Sequence, residues 1–262
     1  MNIAYGEKER NYARVRELLS TVSVDEGSLI LLPEFFATGF AVDPDRFKES
    51  FCGTDAGPTA EFLSGLSRST RSWIIANGVA PGKEKLRNRE TVFSPDHDGE
   101  FAYYEKIHPY TTGGEHLKIE GGKSVSLFTW NSLTVSPLVC YDLRFPEPFR
   151  AAAFAGAHLM TVSASWPAPR DEFWQTLLRA RAMENQAVIA ASNRVGSDPY
   201  HSYMGNSVIL SPEGRALASA GTGECVISAE VSLEMILKFR GETPILDDAK
   251  FRGSLPPVRN FG

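Results

Sequence analysis

Cysteine is scarce: the 262 residues hold three, Cys52, Cys140 and Cys225, far apart and with no CxxC spacing. An odd, scattered set excludes a disulfide scaffold and offers no zinc clasp, so the thiols are read as reduced ones in a cytosolic protein, one of them free to react. Positive charge is not in excess either. Lys and Arg number 27 against 32 Asp and Glu, a net charge of −5, which leaves no broad basic footprint for nucleic acid or an anionic membrane. Two stretches, 124–141 and 151–169, lack Asp, Glu, Lys and Arg. The first is studded with Ser, Thr and Asn and the second carries His158, several hydroxyls and two prolines, so neither suits a bilayer. The opening residues reach Glu7, Lys8, Glu9 and Arg10 without an apolar stretch, and no signal peptide is expected. The phosphate-loop, dinucleotide, nucleophile-elbow and HExxH motifs are absent, and the histidines at 97, 108, 116, 158 and 201 share no metal-binding spacing.

What is present is an alternation of strand and helix signals with no repeat or linker-like tract, which predicts one α/β domain over residues 1–262. Apolar residues at helical spacing predict a helix over 7–22, and Ser28-Leu29-Ile30-Leu31-Leu32 reads as a buried strand stopped by Pro33. A helix follows Gly57-Pro58, then a strand at 73–76. Segments 90–93 and 101–107 flank a turn-rich stretch and read as a hairpin, as do 124–130 and 133–139. Helices are expected at 146–156, 171–186 and 232–239, and strands at 158–163, 187–192, 207–210 and 225–231. Hairpins among βα units favour mixed sheets over all-parallel ones.

Three of the buried strands end on a reactive side chain. In Leu31-Leu32-Pro33-Glu34-Phe35-Phe36 a carboxylate follows an apolar strand and precedes two aromatics, where loss of hydration suits it to proton shuttling. Tyr103-Tyr104-Glu105-Lys106-Ile107-His108 sets a lysine at the end of an aromatic strand. In Leu138-Val139-Cys140-Tyr141-Asp142-Leu143-Arg144-Phe145-Pro146 a thiol closes an apolar run where the chain turns toward a helix, a turn that aims backbone N–H groups at whatever the thiol attacks. Taken singly, each has an ordinary alternative: a strand-end charge, a snorkelling lysine, an inert buried thiol.

Together, LPEFFATGF, YEKIH and VCYDLRFPE resemble the motifs around the Glu-Lys-Cys triad of the nitrilase superfamily of carbon-nitrogen hydrolases. Ser165-Trp166-Pro167, the segment WQTLLRARAMENQ, Ser192-Asn193-Arg194-Val195-Gly196 and FRGETPIL resemble its bacterial ω-amidase branch, which acts on 2-oxoglutaramate-type substrates. The resemblance implies a four-layer αββα sandwich of two mixed sheets flanked by helices, assembled as a homodimer or larger. It implies amide hydrolysis through a thioester, with Cys140 as nucleophile, Glu34 as base and acid, Lys106 and the Tyr141 N–H meeting the oxyanion, and no metal or organic cofactor. Glu115 matches a second glutamate beside the lysine. Trp166 and Phe40 are expected in the pocket wall, and Arg144 and Arg170 are candidates for a substrate carboxylate, Arg144 being equally placed to pair with Asp142 or Glu147. Two departures stand out: the apolar strand that usually precedes the segment matching Asn2–Gly6 is missing, and Pro109-Tyr110 replaces the usual leucine and phenylalanine. The expected substrate is a small dicarboxylate monoamide. The alternatives are N-carbamoyl compounds, other short amides or nitriles, and, in another class, a catalytically inactive binding scaffold.

Overall fold

The computed structural model describes residues 1–40, 43–250 and 252–253. Its strands, in chain order, are β1 Leu29–Leu31, β2 Trp73–Ala80, β3 Arg87–Phe93, β4 Glu100–Glu105, β5 Phe128–Trp130, β6 Leu133–Val139, β7 Leu159–Ala164, β8 Val188–Asn193, β9 Val195–Ser197, β10 Ser202–Met204, β11 Val208–Leu210 and β12 Ala216–Ser219. They form a four-stranded sheet in the order β1-β2-β3-β4, a six-stranded sheet in the order β12-β11-β8-β7-β6-β5, and the separate hairpin β9-β10. Both large sheets are mixed, as expected: β1–β2, β6–β7 and β7–β8 run parallel, and the remaining ladders are antiparallel.

The period-2 alternation of each strand sorts its side chains into layers. On β2, Ile74 and Ala76 point outward to Tyr12 and Val15 of helix Lys8–Ser20 and to Phe62, Leu63 and Leu66 of helix Pro58–Thr70. Ile75 between them points inward, meeting Val92 of β3 and Val135, Leu159 and Val188 of the other sheet. The outer face of that second sheet, with Met160, Val162 and Ile189, is covered by Phe149 of helix Pro146–Phe154 and by Trp174, Leu178 and Ala182 of helix Asp171–Asn185. Helix, sheet, sheet, helix is the αββα order. Helices Pro58–Thr70 and Pro146–Phe154 both begin on proline, whose fixed φ suits the first helical position where no N–H partner is needed.

One expected strand does not form. Residues 225–231 carry the right pattern but no ladder, because a strand exists only with a hydrogen-bonding neighbour and none among the described residues pairs with them; Val231 still packs against the intersheet core. The hairpin β9-β10 and the edge strand β12 were not anticipated; each is three or four residues long, too short to show a period. Ahead of helix Lys8–Ser20 the chain makes no strand, only an isolated bridge from Asn2 to Val195. Among the described residues no helix is long and apolar enough to cross a membrane.

Along the intersheet layer the lining changes from Ile75 and Val92 to Asn77, Glu90 and Asn88, all buried. This polar end lies at the carboxyl ends of β1, β6 and β7. Open α/β sheets place ligands there.

Candidate active site

The strand-end residues converge. Glu34 follows β1, Lys106 follows β4 and Cys140 follows β6, and all three are buried. The Lys106 Nζ lies 2.9 Å from Glu34 Oε1 and 2.8 Å from Glu115 Oε2, so one ammonium bridges two carboxylates. An amide repeats the bridge: Asn88 Nδ2 donates to Glu34 Oε1 at 2.9 Å and to Glu115 Oε1 at 2.7 Å. Asn88 is aligned in turn by Asn77, whose Nδ2 donates to Asn88 Oδ1 at 2.5 Å while its Oδ1 accepts the Phe35 N–H at 3.1 Å. Glu34 Oε2 accepts the Ser165 N–H at 3.0 Å. Buried charges are tolerable in such company, because each has an opposite charge and directed hydrogen bonds in place of water.

The electrostatics follow. Burial by itself would lower the Lys106 pKa, but the Glu115 and Glu34 charges outweigh it and hold the ammonium charged, well above the ordinary lysine value. Burial pushes the Cys140 thiol well up, the Glu34 charge adds to this, and the Lys106 ammonium opposes it. The thiol therefore keeps its proton at rest. It can become a thiolate only as a base takes that proton.

Local backbone geometry serves the same end. Cys140 has φ +43° and Phe35, next to Glu34, has φ +50°, both in the left-handed region that non-glycine residues avoid. Strain of this kind costs about 1–3 kcal/mol per residue and persists where the surroundings over-determine it. Around Cys140 that surrounding is Asp142, on the helical turn Cys140–Arg144. Its Oδ2 accepts Tyr104 Oη at 2.8 Å and the Val139 N–H at 3.3 Å, and its Oδ1 accepts the His108 N–H at 2.9 Å. The acidic residue beside the cysteine thus bolts the turn to the strand end that carries Lys106.

A cavity of about 220 Å³ opens onto Lys106 and Cys140 and is lined as well by Phe40, Tyr110, Tyr141, Arg144, Ser165, Trp166, Arg170, His201 and Tyr203. All the expected pocket residues are therefore in its wall. Arg144 pairs with neither Asp142 nor Glu147; its guanidinium carbon sits 5.0 Å from the Trp166 ring centroid and 4.9 Å from that of Phe173. The departure at Pro109-Tyr110 also falls here, as the Tyr110 N–H donates to Glu115 Oε2 at 2.6 Å. Sequence reading missed Asn77, Asn88, Asp142 and Ser165, whose positions depend on partners far along the chain. The same holds for His201 and Tyr203, carried by the unanticipated hairpin β9-β10 and the loop between its strands. Among the described residues no group of three or more His, Cys, Asp or Glu side chains is arranged to hold a metal ion.

The carbon-nitrogen hydrolase family model matches residues 1–240. The chain is 32% identical to the 2-oxoglutaramate amidase of Bacillus subtilis (strain 168), covering 95% of each chain. It is 37% identical to the omega-amidase YafV of Yersinia enterocolitica, covering 86% of each. Among solved structures, XC1258 of Xanthomonas campestris, a CN-hydrolase superfamily protein with an arsenic adduct in its active site, is similar with a TM-score of 0.86 at 28% identity, covering 95% of this chain and 94% of that one.

Proposed function

The chain belongs to the carbon-nitrogen hydrolase family, and from that premise we propose that it cleaves the terminal amide of a small dicarboxylate monoamide, of the 2-oxoglutaramate or succinamate type, to the acid and ammonia. The observation that carries the chemistry is the Lys106 bridge. An ammonium has three N–H donors; Glu34 and Glu115 take two, and the third is left for the cavity that Lys106 lines.

Catalysis then runs in two halves. Glu34 accepts the Cys140 proton as the thiolate attacks the amide carbonyl, and the tetrahedral oxyanion is met by Lys106 and the Tyr141 N–H. When the C–N bond breaks, Glu34 hands its proton to the nitrogen and ammonia leaves. Water then attacks the thioester with Glu34 as base, the C–S bond breaks, and Cys140 recovers its proton. Glu115 and Asn88 keep the lysine charged and placed. Phe40, Trp166 and Tyr141 wall the cavity.

The acid end of the substrate is read by Arg144. Its guanidinium is braced between Trp166 and Phe173 and has no ion pair among the described residues, which leaves its fork open to a carboxylate. The relatives named for 2-oxoglutaramate and ω-amides support this choice over N-carbamoyl compounds, nitriles or unsubstituted amides. We also infer one domain over the whole chain, a cytosolic setting, and a homodimer or larger assembly through the helical layer. There Phe173 and Met183 of helix Asp171–Asn185 are each 53% exposed.

Ammonia release from 2-oxoglutaramate, succinamate and a carbamoyl amino acid, measured for the wild type and Cys140→Ala, tests the proposal. The two dicarboxylate monoamides should be the better substrates and Cys140→Ala should be inert. A wild type that prefers the carbamoyl compound would replace this substrate class with another.

A further inference from the structure

The cavity holds more positive charge than one substrate carboxylate needs. Lys106, Arg144 and Arg170 line it, and no Asp or Glu is among the lining residues. Lys106 is matched by Glu34 and Glu115, and Arg144 is assigned to the carboxylate. Arg170 is left over.

It is also unusually well fixed for an arginine with no ion pair among the described residues. Its Nη1 donates to the Tyr110 hydroxyl at 2.6 Å. Its backbone N–H donates to the Pro167 carbonyl at 3.0 Å, and its own carbonyl accepts Trp166 Nε1 at 2.7 Å. Trp166 therefore supports both arginines, its ring under Arg144 and its N–H on the Arg170 backbone. Tyr110 supports both ends of the site: its N–H holds Glu115 and its hydroxyl holds Arg170. Its ring lies so close over Gly113 that a Cβ there would come within 2.4 Å of it. Of five guanidinium N–H donors only one has a partner among the described residues, so most of the fork remains available.

We infer that Arg170, positioned by Tyr110, recognises the oxygen on carbon 2 of the substrate and so selects 2-oxo monoamides over unsubstituted ones. This rests on the proposed monoamide hydrolysis. With the amide carbon at Cys140, the far end of a 2-oxo acid presents two carboxylate oxygens and a neighbouring ketone oxygen. One fork saturates the carboxylate bidentately, and the ketone is the acceptor left for a second fork. An unsubstituted monoamide offers Arg170 nothing to bind. A 2-amino acid amide puts an ammonium beside Arg144 and Arg170, two cations that no lining carboxylate offsets. The expected order is 2-oxo, then unsubstituted, then 2-amino.

The test compares 2-oxoglutaramate, glutaramate and glutamine, which differ only at carbon 2, across the wild type, Tyr110→Phe, Arg170→Met and Arg170→Lys. Losing one charge-assisted hydrogen bond to the ketone should cut the 2-oxo over unsubstituted ratio of kcat/KM roughly tenfold in Arg170→Met, carried by KM and not kcat. Tyr110→Phe should cut it less, and Arg170→Lys should restore part of it. Equal losses on 2-oxoglutaramate and glutaramate would overturn the inference, since Arg170 would then serve the carboxylate or the fold. A fall in kcat on both substrates in Tyr110→Phe would overturn the positioning role. Calorimetric binding of the product-like anions 2-oxoglutarate and glutarate separates this from the hydrolase reading. If the wild type cleaved no amide, that reading would fail alone, while a preference for 2-oxoglutarate lost in Arg170→Met would still support the inference and its absence would refute it.

Discussion

The two ends of the cavity treat charge in opposite ways. At the inner end Lys106, Glu34 and Glu115 are fully buried or nearly so; each meets an opposite charge, and the two carboxylates also accept the Asn88 amide. At the outer end Arg144 and Arg170 are half-buried and are braced by aromatic rings and a hydroxyl, without a carboxylate. A matched buried charge is held in place by the protein itself and can act in a reaction without reorganising. An unmatched one at the mouth keeps its attraction for something that arrives. Catalysis and recognition are separated by whether the fold has already supplied the counter-ion.

Breaking the inner match should have the largest effect. Lys106→Met removes an oxyanion donor, a loss of about 2.7–4 kcal/mol in the barrier, and leaves Glu34 and Glu115 facing each other with only Asn88 between them. Removing one partner of a buried ion pair costs about 3–5 kcal/mol of stability. Turnover should fall at least about a hundredfold, and the melting temperature should drop with it. Turnover within tenfold of the wild type would show that the bridge is structural.

Glu90 sharpens the contrast, since it is buried in the same intersheet layer as Glu34 but has no cation. Its Oε1 is hydrogen-bonded to Ser163 Oγ, and its Oε2 has no partner among the described residues. Ser163 Oγ also contacts the Leu32 carbonyl at 2.8 Å, and one hydroxyl proton cannot serve both acceptors. A protonated Glu90 resolves the conflict by donating to Ser163. Burial, helped by the Glu34 charge and opposed by Ser163 and Asn77, pushes the Glu90 pKa up to about 8. The folded state then binds one more proton than the unfolded chain between the ordinary carboxyl range and about pH 8, so stability falls as pH rises across that window. Glu90→Gln supplies a neutral donor that does not titrate. The variant should lose this slope and gain on the order of 5 kcal/mol relative to the wild type above pH 8. Urea midpoints at pH 5, 7 and 9 measure it, and parallel curves for the two proteins would mean that Glu90 is charged and matched after all.

How much of this was legible in the chain follows the range of the interactions. Glu34, Lys106 and Cys140 stand out because an apolar run stops on a reactive side chain and a turn begins, which is a local signal. The layers were legible for the same reason, as each strand carries its own alternation. Asn88 looks like any polar strand residue, and only pairing with β2 and β4 turns it toward two carboxylates 54 and 27 residues away. Asp142 read as a neighbour of Arg144, whereas its acceptors are taken by Tyr104 on β4 of the other sheet and by His108 in the bend that follows β4. Residues 225–231 show the converse, since a strand pattern without a neighbour remains irregular.

The smallest effect should come from the outer end. Arg144→Met keeps an apolar stem against Trp166 and Phe173 and deletes only a charge that the fold leaves unmatched. Stability should stay within about 0.5 kcal/mol of the wild type, as for substitutions away from packed or paired groups. The lost charge-assisted pair with the substrate carboxylate, about 1.5–3 kcal/mol, should appear as a roughly ten- to hundredfold rise in KM for succinamate, with kcat little changed. Because this end is half-exposed, the wild-type KM should rise with salt, and that salt dependence should flatten in the variant. An unchanged KM with a lowered melting temperature would place Arg144 among the structural cations and would leave Arg170 as the only unmatched arginine in the cavity wall.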